Sequence, residues 1–349
     1  MAIIFTDGFD LYGTAAGSNL LTRWSTASGG VTPSSAVTPY GSGQSLAIST
    51  VGTAVAGFAF PAPQSSFTVG FAYRTTAMAL GVPGSVNNQQ IIFLRSSSTE
   101  MIGLQLNTDG SLQVNRQTAV TSGTSLGFTA ANTIKVNTWY YIELAVSISD
   151  TVGTVKLNVD GNTLLNLTNQ DTRNGTPTTI DSLYVNGFNS SSTTTYYDDM
   201  YISDTTTPLG PQRIYTLRPS LDTAQKDWAP LSGANNAAMV ADTITNGDTS
   251  YVQASTVGNY DLYDLGDLTP TSATISAVNH LVWARKTDAA TRAINLTTKS
   301  GSTTTDSANT TLSASYVGYS KIYDTDPNTA AAWTVSGVNA LQIGQKIAV

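Results

Sequence analysis

The sequence has no cysteine, so neither a disulfide framework nor a thiolate metal site can be built from it. It has one histidine, His280, and any Ser–His–Asp relay or imidazole metal site would rest on that side chain alone. Its 16 Lys and Arg form no run or stripe among 349 residues, which removes the electrostatic footprint of a nucleic-acid binder. No apolar stretch approaches the ~20 residues of a membrane helix, so no membrane insertion is expected. The start, MAIIFTDGFD, lacks a basic segment and a long apolar core, and no signal peptide is expected. Glutamate is also scarce. Glu100 and Glu143 are the only two, and neither has an acidic residue within five positions.

Charged residues make up 11% of the chain, less than half the usual ~25%. Ser, Thr, Asn, Gly and Ala take their place. Short uncharged polar groups suit a turn-rich β protein, and they suit tight assemblies in which buried charge is costly. A hydrophobic fraction of 40% is enough for packed cores, and the length fits two domains. No stretch shows convincing 3.6-residue periodicity; the best candidate is a short turn near 221–228. The fold class expected is all-β in two tandem domains, for which the strand runs and the sandwich resemblance given below imply β-sandwiches (jelly-roll type).

Alternation locates the strands. Residues 67–74, FTVGFAYR, put Phe67, Val69, Phe71 and Tyr73 on one face. Runs 44–49, 54–60 and 182–188 read as strands, and 137–149 is a strand carrying Trp139, Tyr141 and Glu143 on one face. Asp109-Gly110 and Asp160-Gly161 each sit between alternating runs, and Asp-Gly tolerates the positive φ that tight hairpins require. The run TTTYYDDMYISD, 193–204, reads as the closing strand of a first domain, paired with the opening FTDGFD, 5–10. Pro and Gly in 206–219 then read as a semi-rigid linker. The second domain spans 220–349, with a turn at Asn246-Gly247 and a long strand at 273–286.

The ordered set FTDGFD, FTVGFAYR, a DG hairpin, NTWYYIELAVS, a second DG hairpin and YYDDMYIS resembles the laminin-G/concanavalin-A-like lectin and glucanase sandwich. The resemblance covers 1–205 and implies a two-sheet jelly roll with adjacent first and last strands. Residues 220–349 resemble the C-terminal part of structural proteins of tailed-bacteriophage virions, on ITNGDTSYV (244–252), AVNHLVWARKTDAATRA, LSASY and DPNTAAAWTVSGVNALQIG (326–344). That resemblance implies a virion component, made in the host cytoplasm, whose partners are other capsid or tail proteins. A homo-oligomer, such as a trimer, fits this picture.

Candidate chemistry is sparse. A glucanase of this fold needs two carboxylates facing the sugar from one strand, and the two isolated glutamates do not supply them. The chain is therefore expected to be a non-enzymatic structural protein displayed on the capsid or tail, with no catalytic residue; the alternatives are a carbohydrate-binding receptor module and, behind it, a glucanase-like hydrolase. Asp7, Asp10, Asp198 and Asp199 would converge if the first and last strands pair, and the sandwich resemblance implies a structural calcium there; otherwise they are turn and strand-end residues. Tyr196, Tyr197 and Tyr201 are candidates for a platform that stacks host-surface glycans, against ordinary strand packing. DTDPNT, 324–329, lacks the Gly and Glu of a calcium loop and reads as a turn. His280 reads as a packed strand residue.

Overall fold

The computed structural model describes residues 2–13, 19–49, 55–78, 90–116, 123–187 and 193–349. Ala54 and Phe188, which bound two of the expected strands, lie outside them. The chain divides into two compact units, Met1–Ile214 and Tyr215–Val349.

The first unit is two antiparallel sheets. One contains β1 (Ile3–Asp7), β3 (Val31–Ser34), β4 (Ser45–Ile48), β6 (Ser66–Thr75), β11 (Tyr140–Ser147), β12 (Gly153–Val159), β13 (Asn162–Gln170) and β15 (Thr195–Ser203), in the order β13-β12-β11-β6-β15-β4-β3 with β1 also on β15. The other contains β2 (Thr26–Ala27), β5 (Val55–Gln64), β7 (Gln90–Ser96), β8 (Thr99–Leu106), β9 (Leu112–Arg116), β10 (Thr124–Phe128) and β14 (Ile180–Asn186), in the order β10-β9-β8-β7-β14-β5-β2. The first and last strands are neighbours, with Asp7 opposite Met200.

Alternation explains the core. Phe67, Val69, Phe71 and Tyr73 of β6 are fully buried, as are Ile142, Leu144 and Val146 of β11. Ile92, Leu94, Ile102, Leu104, Leu183 and Val185 of the second sheet are fully buried as well. Each large side chain so placed stabilises the fold by about 1.5–3 kcal/mol. Tyr197 ties the layers together, its hydroxyl 2.7 Å from the Ile91 and Asn186 carbonyls. Both Asp-Gly hairpins form, joining β8 to β9 and β12 to β13, and Gly110 and Gly161 adopt positive φ.

β6 is buried on its other face too. Thr68 donates to the Thr205 carbonyl at 2.6 Å. The Tyr201 ring lies over Gly70, where an added Cβ would come within 2.1 Å of it. Leu209 packs on Ala72, Tyr141 and Tyr201. Residues 206–214, which read as linker, are thus a strap bound to the outer face of the eight-stranded sheet. Unpaired amides in a Pro/Gly run need acceptors, and this sheet supplies them.

The second unit is also β-rich. A six-stranded sheet joins β16 (Pro219–Lys226), β19 (Asp261–Leu265), β21 (Ala293–Ser300), β22 (Thr303–Asp306), β23 (Thr310–Thr311) and β25 (Gln342–Ile347). Two strand pairs accompany it, β17 (Ala229–Pro230) with β18 (Val252–Gln253), and β20 (Val278–Ala284) with β24 (Val317–Tyr323). Helices α1 (Asn236–Val240) and α2 (Val335–Asn339) are single short turns, N-capped by Asn235 and Thr334. The expected turn near 221–228 is instead the edge strand β16. Ile294, Leu296, Leu312 and Ile347 form one core cluster and Tyr323, Trp333, Val338 and Leu341 another. Buried Asp261 organises the polar part, accepting from Asp227 N, Trp228 N, Asn236 Nδ2 and Tyr263 OH at 2.7–2.8 Å.

Candidate functional site

The acidic residues of the first unit's first and last strands come close enough for Asp7 and Asp10 to act on the charge of Asp198, but they play different parts. Asp7 is buried and accepts from the Phe9 amide (2.9 Å), the Tyr12 hydroxyl (2.5 Å) and Trp24 Nε1 (2.9 Å), with Arg23 at 3.4 Å. Its carboxylate is committed to folding the opening turn onto Trp24. Asp10 accepts from the Gln44 amide at 2.7 Å. Asp198 and Asp199 are both buried at an irregularity of β15, where Asp199 has φ of 47°. Asp199 accepts from the Ile214 amide at 2.6 Å, anchoring the end of the strap.

Burial pushes the Asp198 carboxyl well up, and the Asp199 charge pushes it further. Burial raises Asp199 as well, while the Ile214 amide, Tyr40 hydroxyl and Arg213 draw it back down. Calcium takes six to eight oxygen ligands. Among the described residues no three His, Cys, Asp or Glu side chains gather as a group able to hold a metal ion. With Asp7 spent on four donors, these four side chains as they stand do not fit a calcium cage.

The three tyrosines separate. Tyr197 and Tyr201 are buried, so a sugar cannot stack on either. Tyr201 donates to Glu143 Oε1 at 2.6 Å. Tyr196 alone is half-buried, tilted against Trp139 at 6.3 Å with Arg74 5.5 Å over its ring. Glu143 is itself fully buried, and its Oε1 also accepts the Gly210 amide at 2.9 Å. It is a clasp for the strap, closed to substrate.

The outer face of the seven-stranded sheet carries a different chemistry. Gln105 of β8 pairs with Gln113 of β9, and Gly103 with Asn115. Four carboxamides there form a closed ring of hydrogen bonds. Gln105 Nε2 donates to Asn107 Oδ1 (3.0 Å), Asn107 Nδ2 to Gln113 Oε1 (3.4 Å), Gln113 Nε2 to Asn115 Oδ1 (2.8 Å), and Asn115 Nδ2 to Gln105 Oε1 (3.2 Å). Gln105, Asn107 and Asn115 are buried and Gln113 is half-buried. Asn107 Nδ2 also donates to Ser111 Oγ at 2.9 Å, so both of its N–H groups are used within the hairpin.

On the same face Phe93 of β7 stacks on Tyr184 of β14, centroids 4.8 Å apart and planes 4° from parallel. Arg95 lies 4.8 Å from each ring. It donates to Glu100 Oε1 at 2.7 Å, and their side chains are 31% and 23% exposed. Tyr184 lies over Gly57, where a Cβ would come within 2.5 Å of the ring. Phe93 is buried like three of the amides, and Tyr184, Arg95, Glu100 and Gln113 are the half-buried groups here: an aromatic ring, a guanidinium, a carboxylate and an amide can meet a sugar's C–H face and its hydroxyls.

Sequence reasoning noticed Glu100 only as an isolated acid. It missed Phe93, Arg95 and Tyr184, whose strands pair across about ninety positions of sequence. The amide ring did leave a signal. LQLN and LQVN flank Asp109-Gly110, and period two puts all four amides on one face of the hairpin.

No family model and no curated relative matches the chain. Solved structures with a similar fold include the alginate lyase Aly36B (11% identity, 60% of this chain and 98% of that one, TM-score 0.38). Another is the binding domain of Paraclostridial Mosquitocidal Protein 1 (12%, 59% and 49%, TM-score 0.41). A third is the carbohydrate esterase vb_24B_21 from the Shiga toxin-encoding bacteriophage phi24B (16%, 58% and 97%, TM-score 0.38). At such identities the likeness concerns the fold alone. It corrects one expectation nonetheless. The lyase and the esterase are enzymes, so the lack of a glucanase-type Glu pair is no ground for calling a chain with this sandwich non-enzymatic.

Proposed function

We propose that the chain is a bacteriophage virion component whose first unit recognises carbohydrate through the outer face of its seven-stranded sheet. The observation that carries the proposal is the placing of the Phe93–Tyr184 stack and the Arg95–Glu100 pair beside the four-amide ring. Arg95 is held by two rings and a carboxylate, and Gln113 by its neighbours in the ring, so these groups are ordered before a ligand arrives. Preorganisation of this kind lowers the entropic cost of binding. The low charge and the resemblance of residues 220–349 to virion proteins support the setting.

The test is a glycan array and whole-cell binding with the full chain, beside Tyr184→Ala. The expected result is array binding that Tyr184→Ala weakens at least tenfold while melting shows the protein still folded. A blank array and no cell binding by folded wild-type protein would refute the recognition role. Absence of the chain from mass spectra of purified particles would refute the virion setting.

A further inference from the structure

We infer that this face is built for neutral sugars and discriminates against anionic ones. The inference rests on the carbohydrate reading above and concerns the charge of the ligand. Uronates and sialates carry a carboxylate, which an uncompensated cation favours. Among the described residues Arg95 is the guanidinium beside the aromatic stack on this face, and its charge is already answered. Glu100 Oε1 takes its Nη2 at 2.7 Å. Asp181, on β14 beside the Arg95 neighbour Ser182, accepts from the Ser97 amide at 2.6 Å and the Ser182 hydroxyl at 2.9 Å. The Arg95 charge is therefore met by the Glu100 carboxylate, within a chain of net charge −7.

A ligand carboxylate approaching Arg95 must displace Glu100 or sit beside it, and either leaves like charges in contact. A hydroxyl meets no such conflict, because it accepts from the guanidinium and donates to the carboxylate in one bidentate contact. Gln113, the half-buried amide of the ring, is uncharged and can serve a hydroxyl as donor or acceptor. Discrimination of this kind is made by repulsion as much as by attraction. The stack of Arg95 against Phe93 and Tyr184 holds the guanidinium in place when Glu100 is neutralised, so the charge can be altered without losing the geometry.

Affinity electrophoresis with soluble polysaccharides tests this, comparing dextran, laminarin and galactomannan with alginate and polygalacturonate. The variant is Glu100→Gln, which keeps the shape and removes the charge. The expected result is that the wild type is retarded by at least one neutral polymer and by neither polyuronate. Glu100→Gln should gain retardation on a polyuronate of about tenfold in low salt, lost at 0.5 M NaCl. Thermal melting of the variant checks the fold, and Glu100→Ala gives a second route to the same charge change. Wild-type binding to a polyuronate as tight as to any neutral polymer would overturn the inference and leave the carbohydrate reading intact. An unchanged neutral-to-anionic ratio in both folded variants would also overturn it. Binding to no polymer of either class, with the glycan array blank as well, would remove the carbohydrate reading and this inference with it.

Discussion

Acid should destabilise the second unit through His280. This side chain is buried on β20, with Nδ1 3.0 Å from Thr298 Oγ1, and its buried Nε2 has no hydrogen-bond partner. A proton added at Nε2 would bring a charge and a new donor into a site that has no acceptor for it. Burial accordingly pushes the imidazole down from 6.5 to about 3. The sign follows from linkage. Above 6.5 both folded and unfolded chains hold the ring neutral. As pH falls below 6.5 the unfolded chain gains a proton that the folded unit refuses, so stability is lost progressively down to the folded value. Each pH unit in that window costs about 1.4 kcal/mol, which gives roughly 2 kcal/mol at pH 5. Because the chain has one histidine, its ring Cε1 proton is assigned in an NMR spectrum without further labelling. That resonance should stay flat from pH 8 to pH 4.5. Replacing it by His280→Asn, which keeps a polar atom near Thr298 and cannot be protonated, should narrow the stability gap to wild type by about 2 kcal/mol between pH 7 and pH 5. A His280 titration midpoint near 6.5 in the folded protein would refute the reasoning.

Other perturbations separate the roles of particular groups. Gly70→Ala puts a Cβ 2.1 Å from the Tyr201 ring, and overpacking there should cost the first unit about 1–3 kcal/mol, read as a lower melting midpoint. Glu143→Ala strips the acceptor from the Tyr201 hydroxyl and the Gly210 amide; the expected outcome is protease cleavage within 206–214 well before the rest of the unit, mapped by mass spectrometry. Asp261→Asn turns an amide against donors that now find two carboxylate oxygens. Each oxygen now accepts from two donors, so the Nδ2 that replaces one of them faces two donor groups, and urea melts should show a loss of about 1–3 kcal/mol confined to the second unit.

What could be read from sequence follows the range of the interactions concerned. The strands of FTVGFAYR and the Asp-Gly hairpins come from alternation and from φ preferences a few residues long, and both stand in the structure. The four-amide ring belongs to the same class, since a hairpin turn sets the register of LQLN against LQVN within a dozen residues. The Arg95 group does not. It needs β14 to add to β7, and no local rule couples RSSSTE to DSLYVN. The strap was misjudged for a related reason. Pro and Gly in TTPLGPQR describe what the segment cannot do, which is continue a strand. They say nothing about which acceptors its amides will find, and Glu143, Tyr201 and Asp199 supply those from positions far upstream or on the neighbouring strand. The two glutamates make the point most directly. Both are isolated in sequence, yet one is sealed under the strap while the other stands half-open beside a stacked guanidinium. Burial and partners, not sequence neighbours, set these two environments.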